Sequence, residues 1–195
     1  MRPSGCFLLA ALLLSACSVR SPNPEHWTLA VTAPPPAEWD PSAPAVAIGP
    51  VEMPRYLDHP QLLIRIGPSQ VEPAGLHRWA DSLHESLGRV LASNLGRSLA
   101  SARVSAYPVE SPYQVDFRVL VDVERFDGRP GASLVLIARS VITDGTRAEV
   151  LAVEHSRIEV EAGKDFASLV AAHSSAAGQL AEQIEARIRE LGQQD

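Results

Sequence analysis

Val115-Asp116-Phe117-Arg118-Val119-Leu120-Val121-Asp122-Val123-Glu124 alternates apolar and polar side chains, with Leu120 the one exception. A period of two is that of a β-strand with one face on a core and the other toward solvent. The strand so read spans Tyr113 to Phe126. Asp127-Gly128-Arg129-Pro130-Gly131 after it is turn chemistry. The next run, Leu134-Val135-Leu136-Ile137-Ala138, therefore returns antiparallel, and being apolar on both faces it suits a central strand. Asp144-Gly145 signals a tight hairpin into a third strand, Val150 to Val160. Its apolar phase slips: Leu151 and Val153 are odd, Ile158 and Val160 even. That predicts a bulge or a change of buried face between Glu154 and Arg157.

Two helices flank this meander. The last, from about Asp165 to Leu191, is capped by Asp165 and carries the stripe Leu169, His173, Ala176, Leu180, Ile184, Ile188 and Leu191. The first is read from about Leu76 to Leu99, with Trp79, Ala80, Leu83, Leu87, Val90, Leu91, Leu95 and Leu99 on one face. Gly88 and Gly96 weaken it by about 1 kcal/mol each relative to Ala, so tertiary packing must hold it. Before it come a strand from Val46 to Met53 interrupted at Gly49-Pro50, a loop from Pro54 to Pro60, and a strand from Leu62 to Ile66. A short strand near Gln70 to Glu72 makes a hairpin with the last. Arg103 to Ala106 closes a parallel crossover with the 46–53 strand. Trp27 to Val31 is read as a first strand. Residues 34–44 hold five prolines and form an extended strap, in which Trp39 is read as docked on the domain, the sharper alternative being an exposed tryptophan that binds a partner. The predicted fold class is α/β: a two-layer sandwich of a mixed, mostly antiparallel sheet with two long helices on one face. It forms a single domain over residues 27–195.

The N-terminus carries an address. Met1-Arg2 precedes the apolar run Phe7 to Leu14, which is followed by Leu14-Ser15-Ala16-Cys17. Basic, apolar, small and then cysteine is the order of a secretory signal with a lipobox. The apolar run is far short of the ~20 residues that span a bilayer. Residues 1–16 are thus expected to be removed, Cys17 to be acylated, and residues 17–26 to serve as a polar tether. In a proline-like extended form residues 18–26 reach about 28 Å, at ~3.1 Å per residue. Ser18 stands where Asp would direct retention in the inner membrane, which points to the periplasmic face of the outer membrane.

Totals narrow the function further. The chain has 23 acidic and 17 basic residues and a net charge of −6. It lacks basic clusters, which argues against nucleic acid and against electrostatic membrane binding. Cys6 leaves with the signal and Cys17 takes lipid, so no disulfide is expected within the mature chain. There is no phosphate-binding glycine loop, no dinucleotide fingerprint, no His-Glu-x-x-His and no Gly-x-Ser-x-Gly. No cofactor or metal is expected, because the six histidines are scattered without ligand spacing. Asp58-His59 beside Pro60 reads as a turn rather than half a catalytic site. Trp79 in Arg78-Trp79-Ala80-Asp81 reads as core, and His173 as a satisfied interior or interface histidine.

Taken together, the lipobox, Trp27-Thr28-Leu29, Ile48-Gly49-Pro50-Val51, Tyr56-Leu57-Asp58-His59-Pro60-Gln61, Arg78-Trp79-Ala80, Asn94-Leu95 and Tyr107-Pro108 resemble the PqiC/YmbA family of ABC-type transport auxiliary lipoproteins. Trp27 replaces the Tyr usual in that family, and Asp81 a common Glu. The resemblance implies an outer-membrane lipoprotein that works with an Mce-domain (PqiB-like) protein and an inner-membrane transport component in moving lipid between membranes. It transfers no catalytic residue, and a homo-oligomer is compatible with it. Three functions follow. In a docking subunit, Tyr56, Leu57 and Pro60 would be the partner contacts, unless their loop packs on its own sheet. A lipid carrier would need an apolar cavity between helices and sheet. A periplasmic hydrolase has the least support.

Overall fold

A computed structural model describes residues 22–107, 114–146 and 149–193. Residues 1–16, expected as a signal, and Cys17 lie outside these residues. So do Tyr113 and Pro108.

The strands are β1 (Glu25–Trp27), β2 (Val46–Glu52), β3 (Gln61–Gly67), β4 (Gln70–Trp79), β5 (Val104–Ala106), β6 (Phe117–Asp127), β7 (Ser133–Asp144) and β8 (Val150–Glu161). The helices are α1 (Leu83–Ser98) and α2 (Phe166–Leu191). The expected α/β sandwich is present, with its strands divided between two sheets. Five strands lie in the order β5-β2-β6-β7-β8 and three in the order β1-β4-β3. The meander β6-β7-β8 is antiparallel throughout, while β2 runs parallel to both β5 and β6. Strand β2, helix α1 and strand β5 thus make the parallel crossover that the sequence implied.

Alternation in β6 places Val119, Val121 and Val123 inward, opposite Ile142, Ser140 and Ala138 of β7. Both helices cover this face: α1 packs on β2 and β5, α2 on β6, β7 and β8, and the helices pack on each other. Leu87, Leu91 and Leu95 of α1 and Leu169, Leu180 and Ile188 of α2 are fully buried between the layers. The Asp165 carboxylate accepts the Ser168 amide at 2.7 Å, capping α2 as expected and holding its own pKa below the usual value.

Gly49 has φ +114°, and a side chain there would bring a Cβ to 2.8 Å from that of Tyr107. Glycine is required by both the backbone angle and the close approach. Here the peptide to Pro50 is cis and the register of β2 on β6 shifts.

Four expectations are corrected. Helix α1 starts at Leu83, not near Leu76, because Leu76–Trp79 extends β4. Trp79 is buried as a strand residue, pairing with Trp27. Its spacing from Leu83 and Leu87 only imitates a helical stripe. The first strand is Glu25–Trp27; residues 29–33 run extended across both helices, held by side chains instead of a ladder. Ala30 donates to Ser174 Oγ at 3.0 Å, and the Thr32 and Ala33 amides donate to Asn94 Oδ1 at 2.9 and 2.7 Å. Trp39 in the strap is 49% exposed rather than docked. In β8 the irregularity lies opposite Ile142 and Thr143, not between Glu154 and Arg157. Ala152, Ser156 and Ile158 all face inward, and Val153 is an outward apolar residue.

Candidate functional site

The loop from Pro54 to Pro60 joins β2 to β3 and is fixed at successive residues. Leu57 is 3% exposed, a core residue whose side chain is unavailable to a partner. Tyr56 is half-buried and donates its hydroxyl to Asp127 Oδ2 at 3.0 Å. Burial and the Asp127 charge push the Tyr56 pKa above its ordinary value. Pro60 is exposed, as are Arg55, Asp58 and His59. The loop therefore packs on its own domain through Tyr56 and Leu57 and leaves the Pro60 end outward.

Asp127, at the end of β6, is buried and receives four hydrogen bonds. Arg65 of β3 contributes Nε to Oδ1 at 2.6 Å and Nη2 to Oδ2 at 2.7 Å, Arg125 adds Nε to Oδ1 at 2.9 Å, and Tyr56 supplies the fourth. Burial disfavours the carboxylate, but the bonds and charges of the two arginines outweigh it and keep its pKa below the usual range. The Arg65 amide also donates to the Gly128 carbonyl at 2.9 Å. This cluster joins the small sheet to the large one and anchors the 54–60 loop at the seam. The sequence offered one hint of it, an arginine inside the apolar run Leu62-Leu63-Ile64-Arg65-Ile66. Its partner lies 62 residues away.

Asp58, Ser82 and His84 also meet at this loop. Ser82 Oγ stands 2.8 Å from His84 Nδ1 and 3.1 Å from Asp58 Oδ1, and Asp58 Oδ1 is 3.1 Å from the same Nδ1. These are the residue types of a nucleophilic triad, but not its geometry. A triad places the hydroxyl and the carboxylate on opposite ring nitrogens, so that the imidazole can take a proton from one while held by the other. Here both partners share one nitrogen, and the cluster ties the loop to the start of α1. His59 instead accepts the Gln61 amide at 3.2 Å, which makes Asp58-His59 the turn that was expected.

His173 is buried, in edge contact with Trp79 and Phe126, and Nδ1 donates to the Leu169 carbonyl at 2.9 Å. It is the satisfied interior histidine the sequence suggested. Burial lowers its pKa to about 4. Among the described residues, no three His, Cys, Asp or Glu side chains are grouped to hold a metal ion.

A family model described as an ABC-type transport auxiliary lipoprotein component matches residues 27–185. No curated protein matches the chain. Among solved structures, protein XCC0632 from Xanthomonas campestris, of family DUF330, superposes with a TM-score of 0.71 at 18% identity, covering 88% of this chain and 98% of that one. An uncharacterized protein superposes with a TM-score of 0.68 at 17% identity, covering 86% and 99%. At these identities the likeness is one of fold.

Proposed function

Because this chain belongs to the family of ABC-type transport auxiliary lipoprotein components, we propose that it is a non-catalytic docking subunit. In this reading Cys17 is acylated after removal of residues 1–16. The chain is moored on the periplasmic face of the outer membrane, and residues 27–195 form one domain. That domain contacts an Mce-domain protein of a Pqi-like system, whose inner-membrane component drives lipid movement.

The family match carries the assignment, and the pinned loop supports the contact surface. Tyr56 on Asp127, Leu57 in the core and Asp58 on Ser82 hold the loop in one shape. A rigid loop loses little entropy on binding. Pro60, with the exposed edge of Tyr56, is the contact we favour. The alternative, a lipid carrier, needs space between helices and sheet; Leu87, Leu91, Leu95, Leu134, Leu136 and Leu180 are all fully buried in that layer, which favours a packed core. Organic extraction of the purified protein, followed by mass spectrometry, separates the two. Docking predicts only the covalent acyl chains, whereas a carrier would release a stoichiometric non-covalent lipid.

A further inference from the structure

The same seam between the sheets has an open side. A cavity of about 300 Å³ lies between the β3–β4 turn and the β6–β7 turn, lined by Arg65, Ile66, Pro68, Arg125, Gly128 and Arg129 among others. Three guanidinium groups therefore border one crevice of a chain whose net charge is −6. Asp127 is the carboxylate bound to them, and it meets only two of the three.

Their hydrogen-bonding capacity is unequally used. Arg65 is committed: Nε and Nη2 go to Asp127, and Nη1 donates to the Pro68 carbonyl at 2.9 Å. Arg125 gives only Nε to Asp127, so its two amino groups have no partner among the described residues. Arg129 is exposed, and its guanidinium has no hydrogen bond or ion pair among them. Asp127 thus fixes the Arg125 fork in place while leaving its outer edge free. Two free guanidinium edges at one crevice suit an anion that accepts hydrogen bonds in several directions. A phosphate group does this, and the planar fork of arginine matches it.

We propose that this crevice binds a phosphate group, carried by a lipid headgroup or free in solution, with Arg125 and Arg129 as the ligating residues and Asp127 and Arg65 as positioning residues. The pocket lies at the Gln70 end of β4, whereas β1 pairs at the Glu25–His77 end. These ends are separated by roughly 23 Å at ~3.3 Å per residue. The crevice is therefore remote from the point where the N-terminal segment enters the fold. The proposal does not rest on the docking role, although Asp127 also holds Tyr56 of the 54–60 loop.

Titration calorimetry tests it on the full-length protein in an uncharged detergent and phosphate-free buffer. The probes are inorganic phosphate, dihexanoyl phosphatidylglycerol and, as ionic-strength control, chloride. The expected result is saturable binding of at least one phosphate-bearing probe and none of chloride. Arg129→Gln should weaken it about tenfold, as loss of a charge-assisted bond implies, with the thermal midpoint unchanged. Arg125→Gln should weaken it at least as much. Tighter binding of the phosphatidylglycerol identifies a lipid headgroup as the source, and tighter binding of inorganic phosphate a free anion. Absence of saturation with both probes, or unaltered affinity in Arg129→Gln, overturns the proposal.

Discussion

Arg65 grips Asp127 with two parallel hydrogen bonds, Nε to Oδ1 at 2.6 Å and Nη2 to Oδ2 at 2.7 Å, and so bolts the three-stranded sheet to the end of a strand in the five-stranded one. The carboxylate is fully buried and the guanidinium 18% exposed. Removing one partner of a buried pair leaves the other uncompensated, at a cost of roughly 3–5 kcal/mol. Asp127→Ala should fall near the lower end, since Arg65 keeps some access to water. Urea unfolding measures it. Asp122→Asn, which breaks the exposed pair with Arg139, should change stability little.

Stability should also fall on acidification through His173. Its pKa in the fold is about 4, below the ordinary 6.5, because burial disfavours the imidazolium. Between these values the unfolded chain binds the proton and the folded chain does not. The contribution is therefore complete above pH 6.5, is lost as pH falls toward 4, and changes no further below that. At 1.36 kcal/mol per pKa unit the loss is roughly 3 kcal/mol. Asp127, with its lowered pKa, adds a loss only at more acid pH, below the ordinary carboxylate value of 3.8. Urea midpoints between pH 7 and pH 4 should decline in the parent and much less in His173→Leu.

Asn94 explains how the N-terminal segment stays on the helices. Its Oδ1 accepts from the amides of Thr32 and Ala33 and from Thr32 Oγ1, while Nδ2 donates to the Val90 carbonyl at 3.0 Å. Asn94→Ala should cost about 1–2 kcal/mol, because the two amides lose their acceptor but can reach water. Hydrogen exchange should accelerate at Thr32 and Ala33 and stay slow in β7.

Cys17→Ser tests the anchor. The variant should fold and fractionate as a soluble periplasmic protein. Persistence in the membrane fraction would place the anchor elsewhere.

The long strands were legible because the meander is local: each partner lies one turn away, the period of two holds in β6 as far as Val123, and β7 shows as an apolar run between two turns. The start of α1 was not, since Trp79, Leu83 and Leu87 keep helical spacing across a strand–helix boundary. Asp81 and Ser82, both residues that favour helix starts, marked the true boundary. The phase slip in β8 had a simpler origin, outward apolar residues on the uncovered face of the sheet. Residues 29–33 look like a strand but pair with side chains, which no periodicity reveals. The Asp127 cluster was not legible, because Asp127 reads as the first residue of a turn and its partner is far off in sequence.

The most direct test of the docking role is a photo-crosslinking side chain at Pro60, introduced into the full-length protein in its native host, with the adduct identified by mass spectrometry. The account predicts a crosslink to an Mce-domain protein, absent when the same group replaces exposed Val153 on the uncovered sheet face. No Mce-domain adduct from Pro60, Arg55 or His59 in a folded, membrane-anchored protein would contradict it.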